Sequence, residues 1–416
     1  MSFTPALPDM RPLLPRWQGL LQDLIRIPSV FENDQKICAF VYDYLIDLGV
    51  PDTRKVLHTS TKLAAIKGAE QPFSDLPDRY SVVVKLGGTG GGKSLIYNAH
   101  LDVAEEGEAS SWTYPPFLGY IDRDKNLIYG RGAMDDKSGV LICLALIELL
   151  KESREKPKGD IYFHLVLEDE ITGNGTLLCL ETGPKSDAAL IIDGTRLDRA
   201  IREHAGQLEF LINLTGSPAS VSVHHVGINA VEKLAELAMA LKDSVHSLNE
   251  GRHADWQRFP APYQCSIQAF NGRGARFTLP KQASANFYLT FCPPHTVAEV
   301  KQLVLSTVLA YAEKNNLPEP PSVAWSGFAL EPVRSMSDEL EGLLQRCAQQ
   351  SGIDSVEIGP STGTSDLRHY VKAGIPGLLY GPGRGYNPHR PDEYFHLEDL
   401  QTMISVYWKL AWEWCN

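Results

Sequence analysis

The chain has 416 residues, of which 43% are hydrophobic and 22% are charged. This length exceeds one ordinary domain, and the composition is normal for a soluble globular protein. The formal net charge of −12 argues against nucleic acid or an anionic membrane as a partner, since both bind a basic face. No apolar run reaches the ~18 residues that span a bilayer, and the N-terminal sequence lacks the pattern of a signal peptide. We therefore expect a cytoplasmic protein that does not bind a membrane.

Helical and strand patterns alternate along the first 205 residues. Apolar residues between Ile37 and Leu48 recur with the spacing of an amphipathic helix, and residues 139–153 have the pattern of a strongly apolar helix. Buried strands are predicted at 81–86, 94–102, 161–170 and 188–194. The alternation returns near the C-terminus, with a helix from Ser337, a strand at 377–381 and a helix ending at Trp414. These runs predict an α/β fold with a mixed, mostly parallel sheet and helices on both faces.

The pattern between about Gly206 and residue 331 is different. Half-exposed strands and two long helices follow one another in the order strand, helix, strand, strand, helix, strand. Thr296 and Glu299 are spaced as a capping box at the start of the second helix. This order predicts a small inserted α+β domain of the ferredoxin-like kind. The expected organisation is an α/β domain formed by residues 1–205 and 332–416, interrupted by the inserted domain at 206–331.

Residues 87–94, GGTGGGKS, match the GxxxxGK[ST] pattern of a phosphate-binding P-loop. A P-loop requires a helix that starts at the Lys-Ser pair, so that its N-terminus faces the phosphates. Here the next residues, LIYNAHLD, alternate in polarity and include β-branched and aromatic side chains. We therefore expect a hairpin around the glycine run rather than a nucleotide site. An ATPase would lose nucleotide binding when Lys93 is changed.

Five segments carry side chains of the types that bind metal ions. They contain the following residues: His100 with Asp102, Asp135, Glu168 to Glu170, Asp193, and His389. Taken singly, each has a structural explanation, such as a hydrogen-bonded histidine, a helix cap or a solvated turn. Taken together, four of the segments follow strands of one α/β domain, and the fifth opens a helix. In such sheets ligands bind beyond the carboxyl ends of the strands.

This combination indicates a metal site rather than independent turns. Clustered carboxylates repel one another unless cations lie among them. Imidazole with carboxylate suits zinc, with cobalt or manganese as substitutes, whereas the seven scattered cysteines include no CxxC pair. Two divalent ions would balance Asp135, Glu170, Asp193 and one bound hydroxide, and a metal-bound water of pKa near ~7 would be the nucleophile. We expect Asp102 to lie beside the ring of His100 and fix its tautomer.

In these segments the chain resembles the M20 family of metallopeptidases and amidohydrolases. The family includes acetylornithine deacetylase, succinyl-diaminopimelate desuccinylase, carboxypeptidase G2 and dipeptidases. The resemblance covers nearly the whole chain and is carried by these segments: LIRIPSV (24–30), YNAHLD, YGRGAMDDKSG, LEDEITGNGT, LIIDGT, GTSDLRHYVKAGIPGLLYGPG and HRPDE. It implies the fold of the zinc exopeptidases, in which the inserted domain is a lid and a dimerisation domain.

The resemblance also implies a role for each ligand. The five ligands would divide between two zinc ions as follows: His100 and Asp193 on one, Glu170 and His389 on the other, and Asp135 bridging both. Asp102 would position His100. Asp169 would be the general base that takes a proton from the water and delivers it to the leaving amine. Glu168 could replace it, but alternation along the strand points its side chain the other way.

Several positions depart from the family pattern. The usual base is Glu, and Asp169 is one methylene shorter. In the inserted domain, Ser220 aligns with the family's histidine, which stabilises the developing oxyanion. Phe277 aligns with the family's asparagine, and Phe291 with the arginine that binds a substrate carboxylate. Either His224 or His225 replaces the missing histidine, or both are ordinary surface residues, and Arg273, Arg276 or Arg202 would replace the missing arginine. The residues predicted to bind substrate are His224, His225, Arg276, Gly363 and Thr364.

The leading hypothesis is di-zinc-dependent hydrolysis of the amide bond in an N-acyl amino acid, as in a deacetylase or desuccinylase. The alternative is a dipeptidase or exopeptidase of the same family, which Asp rather than Glu at position 193 favours. A third hypothesis is a catalytically impaired M20-like binding protein, which the altered base and lid favour and the complete ligand set opposes. The expected partners are a small N-acyl amino acid or dipeptide and a second copy of the chain, paired through the inserted domain.

Overall fold

The structure is a computed structural model that describes residues 5–71, 73–385 and 387–416. Those ranges contain ten α-helices: α1 Leu14–Arg26, α2 Gln35–Asp47, α3 Ser60–Ala64, α4 Lys137–Glu152, α5 Asn174–Thr182, α6 Ala230–Ser247, α7 Val297–Lys314, α8 Asp338–Gln349, α9 Leu367–Lys372 and α10 Asp399–Cys415. The helices predicted from the apolar spacing correspond to α2, α4, α8 and α10. None of the helices in the described ranges combines the length and the apolarity that crossing a membrane requires.

The same ranges contain sixteen strands: β1 Thr53–Leu57, β2 Tyr80–Leu86, β3 Leu95–His100, β4 Tyr120–Asp122, β5 Leu127–Tyr129, β6 Ile161–Val166, β7 Ala189–Ile191, β8 Arg199–His204, β9 Gly206–Thr215, β10 Gln264–Gly272, β11 Gln282–Phe291, β12 Ser322–Leu330, β13 Val333–Arg334, β14 Glu357–Ser361, β15 Gly377–Leu379 and β16 Tyr394–His396. Several are shorter than predicted. The strand expected at 161–170 ends at Val166, so its acidic residues lie in the turn that follows.

The central sheet runs in the order β1-β2-β6-β3-β7-β15-β8-β13, with β14 also paired to β8. Its middle strands β6, β3, β7 and β15 are parallel, and those nearer the edges pair antiparallel. Val82 and Val84 belong to the main apolar core with α4 and α10, whereas Val83 packs with Val166 and Cys179 of α5. Helices therefore cover both faces of this sheet, and the predicted α/β class is confirmed.

The prediction of a hairpin around the glycine run was wrong. β2 and β3 are not neighbours, because β6 lies between them and pairs with both. Gly88 and Gly92 lie against the backbone of Gly159, where an added Cβ would come within 2.4 Å. β3 begins at Leu95, where a P-loop would need a helix, and Nζ of Lys93 is bonded to the carboxylate of Glu339. The glycines thus permit close approach of two backbone segments.

The chain divides into two compact units. The first contains the chain up to Arg202 together with Ser335–Gly359 and Ser365–Asn416. It includes most of the central sheet and a three-stranded antiparallel sheet in the order β16-β5-β4. The second contains Glu203–Arg334 and Pro360–Thr364. The predicted domain limits, and the lid and dimerisation role of the inserted domain, stay predictions.

The second unit has a four-stranded antiparallel sheet in the order β10-β11-β9-β12, against which α6 and α7 pack. Side chains alternate between buried and more exposed along β9, as expected for a sheet with one covered face. Phe210 and Phe287 stack in its core with ring centroids 5.2 Å apart. The predicted capping box is present at the start of α7, where Thr296 and Glu299 each accept a hydrogen bond from the other's backbone. The predicted ferredoxin-like order of elements is therefore present.

Candidate metal centre

The predicted metal ligands lie at one edge of the central sheet. The parallel strands β3, β6, β7 and β15 have their carboxyl ends at this edge. β3 ends at His100, a turn containing Glu170 follows β6, and Asp193 follows β7. Asp135 comes shortly before α4, and His389 lies in the loop after β15. All five residues belong to the first unit.

Asp135 lies between the two histidines. One of its carboxylate oxygens is 2.8 Å from Nε2 of His100, and the other is 3.3 Å from Nε2 of His389. Asp193 is on the His100 side, with an oxygen 3.9 Å from Nε2. Glu170 is on the His389 side, with an oxygen 3.0 Å from Nε2. The structure therefore brings the five residues together as two pairs that share Asp135.

Asp169, the predicted general base, lies in the same cluster. Its carboxylate, a ring nitrogen of His100 and a carboxylate oxygen of Asp193 lie within 4.8 Å of one another. The shorter side chain therefore still reaches the ligands of one predicted metal ion. The neighbouring Glu168 points away from the cluster, with its side chain fully buried against Arg79.

Asp102 contacts the ring of His100 through its backbone. Nδ1 of His100 is 2.9 Å from the carbonyl oxygen of Asp102, so a neutral ring that donates there presents the lone pair of Nε2 to the cluster. The Asp102 carboxylate is 3.7 Å from Nδ1. It accepts instead from the backbone N–H groups of Asp169 at 3.3 Å and Glu170 at 3.2 Å. A carbonyl thus sets the tautomer, and the carboxylate holds the turn that carries the predicted base.

Burial and mutual repulsion shift the ionisation of the cluster. Burial and the nearby charge of Asp135 raise the pKa of Asp193 to about 7 and also raise the pKa of Glu170. Burial opposes ionisation of Asp135 as well, but hydrogen bonds with His100 and His389 outweigh it and lower the pKa of Asp135 well below its usual range. Hydrogen bonds with Asp135 and Glu170 raise the pKa of His389 to about 11. The cluster therefore attracts positive charge.

This set of donors fits divalent cations. Carboxylate oxygens and imidazole nitrogens are ligands that zinc takes in proteins. Cations among these side chains would remove the repulsion that raises the pKa of Asp193. In two sets of residues, the ligand atoms lie within 4.8 Å of one another, close enough to hold one ion. The sets are His100 with Asp135 and Glu170, and His100 with Asp169 and Asp193. The arrangement can therefore hold metal ions side by side.

Comparison with known proteins identifies the family. The sequence profile of peptidase family M20/M25/M40 matches residues 96–413, which is well over half of the chain. The chain belongs to this family. The enzyme class predicted from the sequence, a metal-dependent hydrolase of amide or peptide bonds, is confirmed by this membership.

Two curated relatives are similar to this M20 chain over most of its length. A probable succinyl-diaminopimelate desuccinylase from Staphylococcus epidermidis is 24% identical over 413 residues, covering 93% of this chain and 95% of its own. The enzyme N-formyl-4-amino-5-aminomethyl-2-methylpyrimidine deformylase from Halalkalibacterium halodurans is 25% identical over 371 residues, covering 82% of this chain and 84% of its own.

Solved structures share the fold. A tripeptidase from Staphylococcus aureus superposes with a TM-score of 0.73 at 18% identity, covering 97% of this chain and 98% of that one. A di-peptidase from Saccharomyces cerevisiae gives a TM-score of 0.70 at 15% identity, covering 98% and 97%. A dinuclear metal binding peptidase of the M20 family from Bacillus subtilis gives 0.69 at 15% identity, covering 97% and 99%. At these identities the likeness concerns the fold alone.

Sequence reasoning missed residues that hold the candidate metal ligands in place. Glu393 accepts hydrogen bonds from the backbone N–H groups of Met134 at 2.9 Å and Asp135 at 3.1 Å. It also forms a buried ion pair with Arg131 at 2.6 Å. Glu393 therefore fixes the backbone at the predicted bridging ligand. The sequence feature that could have indicated this role is the position of Glu393, four residues after His389 in the segment HRPDE.

Two further buried carboxylates have contacts that the sequence did not indicate. Asp136 does not cap α4, because its side chain makes no capping bond and accepts from the backbone N–H of His100 at 3.1 Å. Burial alone would raise the pKa of Glu168, but the hydrogen bond with His58 and the charge of Arg79 outweigh it and lower the pKa to about 2. Arg79 lies in none of the motifs, so no local pattern could have revealed its role.

Three of the residues predicted to bind substrate lie on exposed surface of the second unit. His224 and His225 are in a short 3₁₀ segment, Val221–Val226, and are exposed. The guanidinium carbon of Arg276 lies 4.9 Å from the ring centroid of Phe277, which is itself 66% exposed. The part of these residues in substrate binding stays a prediction.

The other positions singled out in this unit differ in exposure. Gly363 is exposed and Thr364 is half-buried. Ser220 caps the 3₁₀ segment by accepting from the backbone N–H of Ser222. Phe291 is 0% exposed and belongs to the apolar core of the unit. Phe291 is therefore a packing residue of this unit.

Proposed function

We propose that this M20 hydrolase holds two zinc ions and hydrolyses the amide bond of an N-acyl amino acid. The position of Asp135 is the observation that supports this most. Its two carboxylate oxygens face different imidazoles, at 2.8 Å from His100 and 3.3 Å from His389. Two metal ions ~3.5–4 Å apart need a ligand that contacts both, and a carboxylate placed in this way can do so.

The proposed assignment follows the two pairs in the cluster. The residues that would hold the ions are His100 and Asp193 on one side and Glu170 and His389 on the other, with Asp135 shared by the two pairs. When bound, the zinc ions would polarise the substrate carbonyl and lower the pKa of the attacking water. Cobalt or manganese would substitute for zinc.

The chain's own side chains supply proton transfer and positioning. Asp169 accepts the proton of the attacking water and then delivers it to the nitrogen of the departing amine. The contact between Nδ1 of His100 and the carbonyl of Asp102, at 2.9 Å, keeps the other ring nitrogen directed at the cluster. The Asp102 carboxylate accepts a hydrogen bond from the backbone N–H of Asp169 and so fixes the backbone position from which the base extends.

The substrate class is supported by the two curated relatives. One is named as a desuccinylase and the other as a deformylase, so both names describe removal of an acyl group from nitrogen. A dipeptidase is the second candidate, and Asp rather than Glu at position 193 favours it. We further propose that His224, His225, Arg276, Gly363 and Thr364 contact substrate and that the chain forms a homodimer through the second unit.

The test combines metal analysis with a matched substrate screen. The purified chain, supplied with zinc or cobalt, is assayed against N-acetyl, N-succinyl and N-formyl derivatives of an amino acid and against dipeptides of the same amino acid. We expect about two metal ions per chain and faster hydrolysis of an N-acyl derivative. A chain that takes up no metal would refute the proposal, and activity on dipeptides alone would select the second candidate.

A further inference from the structure

Asp169 and Glu170 lie on a tight turn that begins at Glu168. Glu168 has a positive φ of 71°. Its carbonyl oxygen accepts from the backbone N–H groups of Thr172 at 2.9 Å and Gly173 at 2.5 Å. The turn directs Asp169 and Glu170 to the cluster of candidate metal ligands, while the side chain of Glu168 enters the interior. One backbone segment therefore connects the predicted base, a predicted metal ligand and a buried carboxylate.

The Glu168 carboxylate is surrounded by donors, two from distant segments of the first unit and two from the residues that follow it in the chain. Oε1 accepts from Nη1 of Arg79 at 2.9 Å and lies 3.3 Å from Nδ1 of His58. Oε2 accepts from Oγ1 of Thr172 at 2.7 Å and from Nδ2 of Asn174 at 3.2 Å. These four contacts restrain the side chain, so a displacement of the turn would break several of them.

Arg79 is itself held rigidly. Its Nε and Nη2 donate to the two oxygens of Asp34 at 2.8 and 2.7 Å. The side chains of Arg79, Asp34 and Glu168 are all 0% exposed. On the opposite side of the turn, the Asp102 carboxylate accepts from two of its backbone N–H groups. The turn is thus held by two buried carboxylates. Asp102 bonds its backbone N–H groups, and the Glu168 side chain anchors it to Arg79.

Stability alone does not account for this buried charge. Taking each ion out of water costs several kcal/mol, and apolar side chains of similar volume are often as stabilising as a buried ion pair. Geometry does account for it. Proton transfer needs heavy atoms within about 2.6–3.2 Å, and Asp169 has one side-chain torsion fewer than Glu with which to correct a displaced backbone. A base of this length requires a backbone that does not move.

We propose that Glu168, anchored by Arg79, is a positioning residue that fixes the backbone of Asp169 and Glu170 relative to the metal ions. The inference rests on the proposed function, since it concerns the same site. The Glu168 carboxylate bonds Arg79, Thr172 and Asn174, none of which is a predicted metal ligand, so it acts through the turn.

The test compares Glu168→Gln with the matched control Glu148→Gln. Glu148 is also a buried carboxylate of the first unit, bonded to Arg16 and Trp17, but it lies in the middle of α4. For Glu168→Gln we expect affinity for the metal held by Glu170 to fall by about 10–100-fold, as for other residues that support metal ligands. We expect kcat to fall by about 10–100-fold with KM unchanged, and the absorption spectrum of the cobalt form to change.

The control separates positioning from general destabilisation. Both variants should lower the melting temperature, but Glu148→Gln should leave metal affinity, the cobalt spectrum and kcat as in the parent chain. The inference is overturned when Glu168→Gln retains parental affinity and kcat, or when the two variants lose both in equal proportion. Metal affinity is measured by competition with a chelator, so this readout does not depend on knowing the substrate.

A milder variant covers the case in which Glu168→Gln does not fold. Thr172→Val keeps the side-chain volume and removes the hydrogen bond to Glu168, together with the acceptor for the backbone N–H of Asn174. It should weaken the same metal site by about 2–10-fold, the range expected for one hydrogen bond. A parental affinity in this variant counts against the inference. If the parent chain binds no metal, the proposed function fails; if the parent chain binds two ions and both variants match it, only the positioning role fails.

Discussion

The two units of this protein bury different kinds of side chain. Among the described residues, the buried polar or charged ones in the second unit are Glu203, His204 and Asn249. The core of that unit is otherwise apolar and lies between one sheet and two helices. The first unit buries many more charged groups. They include the candidate ligand His100 and residues bonded to the candidate ligands or to the turn at Glu168, namely Asp102, Asp136, Glu168, Arg79 and Glu393.

This difference separates what folding requires from what the site requires. Burying a charge costs several kcal/mol unless its partners are well placed, whereas apolar burial is favourable by itself. The second unit shows that this chain can build a compact body almost entirely from apolar packing. The charges buried at the sheet edge of the first unit are therefore better explained by the proposed metal site than by stability.

The largest effect is expected for Asp135→Ala. Removing the shared carboxylate should release metal from both sides of the cluster. Activity should fall by at least about 10⁴-fold, because one electrostatic contribution of this kind is already worth about 10²–10³. Metal analysis and initial rates measure the two effects together. A variant that keeps full metal content would contradict the bridging role. It would also weaken the conclusion that the charges buried in the first unit serve a metal site.

Asp169→Asn should separate the base from the ligands. The substitution keeps the shape of the side chain and removes the proton acceptor, so turnover should fall by about 10²–10⁴-fold. Metal content and melting temperature should stay as in the parent chain, since the proposed ligands are intact. Unchanged turnover would remove Asp169 from its role, whereas loss of one ion would make it a ligand.

Phe287→Ala should affect stability without affecting the metal site. Phe287 is 0% exposed and stacks on Phe210 at 5.2 Å in the second unit. Truncating a buried phenylalanine to alanine costs about 3–5 kcal/mol, which urea unfolding measures. We expect metal content to be retained in the folded variant. Loss of metal at a urea concentration where the chain is still folded would show that packing in the second unit affects metal binding in the first.

The smallest effect is expected at the start of α7. Thr296→Ala removes the side chain that accepts from the backbone N–H of Glu299, which should lower the free energy of unfolding by about 0.5–2 kcal/mol. Ser306→Ala, in the exposed middle of the same helix, is the control and should change stability less. Equal losses in the two variants would mean that the cap contributes nothing beyond an ordinary surface hydroxyl.

Much of the architecture followed from local sequence. The spacing of apolar residues located α2 and α4, and alternation located β9, because each pattern repeats with the period of the element it forms. The pair Thr296 and Glu299 identified the start of α7, since a capping box involves only residues three apart. The motifs around His100, Asp135 and Asp193 by themselves indicate a metal-dependent hydrolase of the M20 family.

Tertiary structure decided the features that depend on distant partners. Local pattern placed β2 and β3 together in a hairpin, but β6, from later in the chain, lies between them. Likewise the Asp102 carboxylate bonds the backbone of Asp169, 67 residues away, and Arg79 meets Glu168 across 89 residues. Periodicity reports whether a residue is buried and in which element it lies. It carries no information on which other buried residue will be its neighbour, and that choice fixes the geometry of the site.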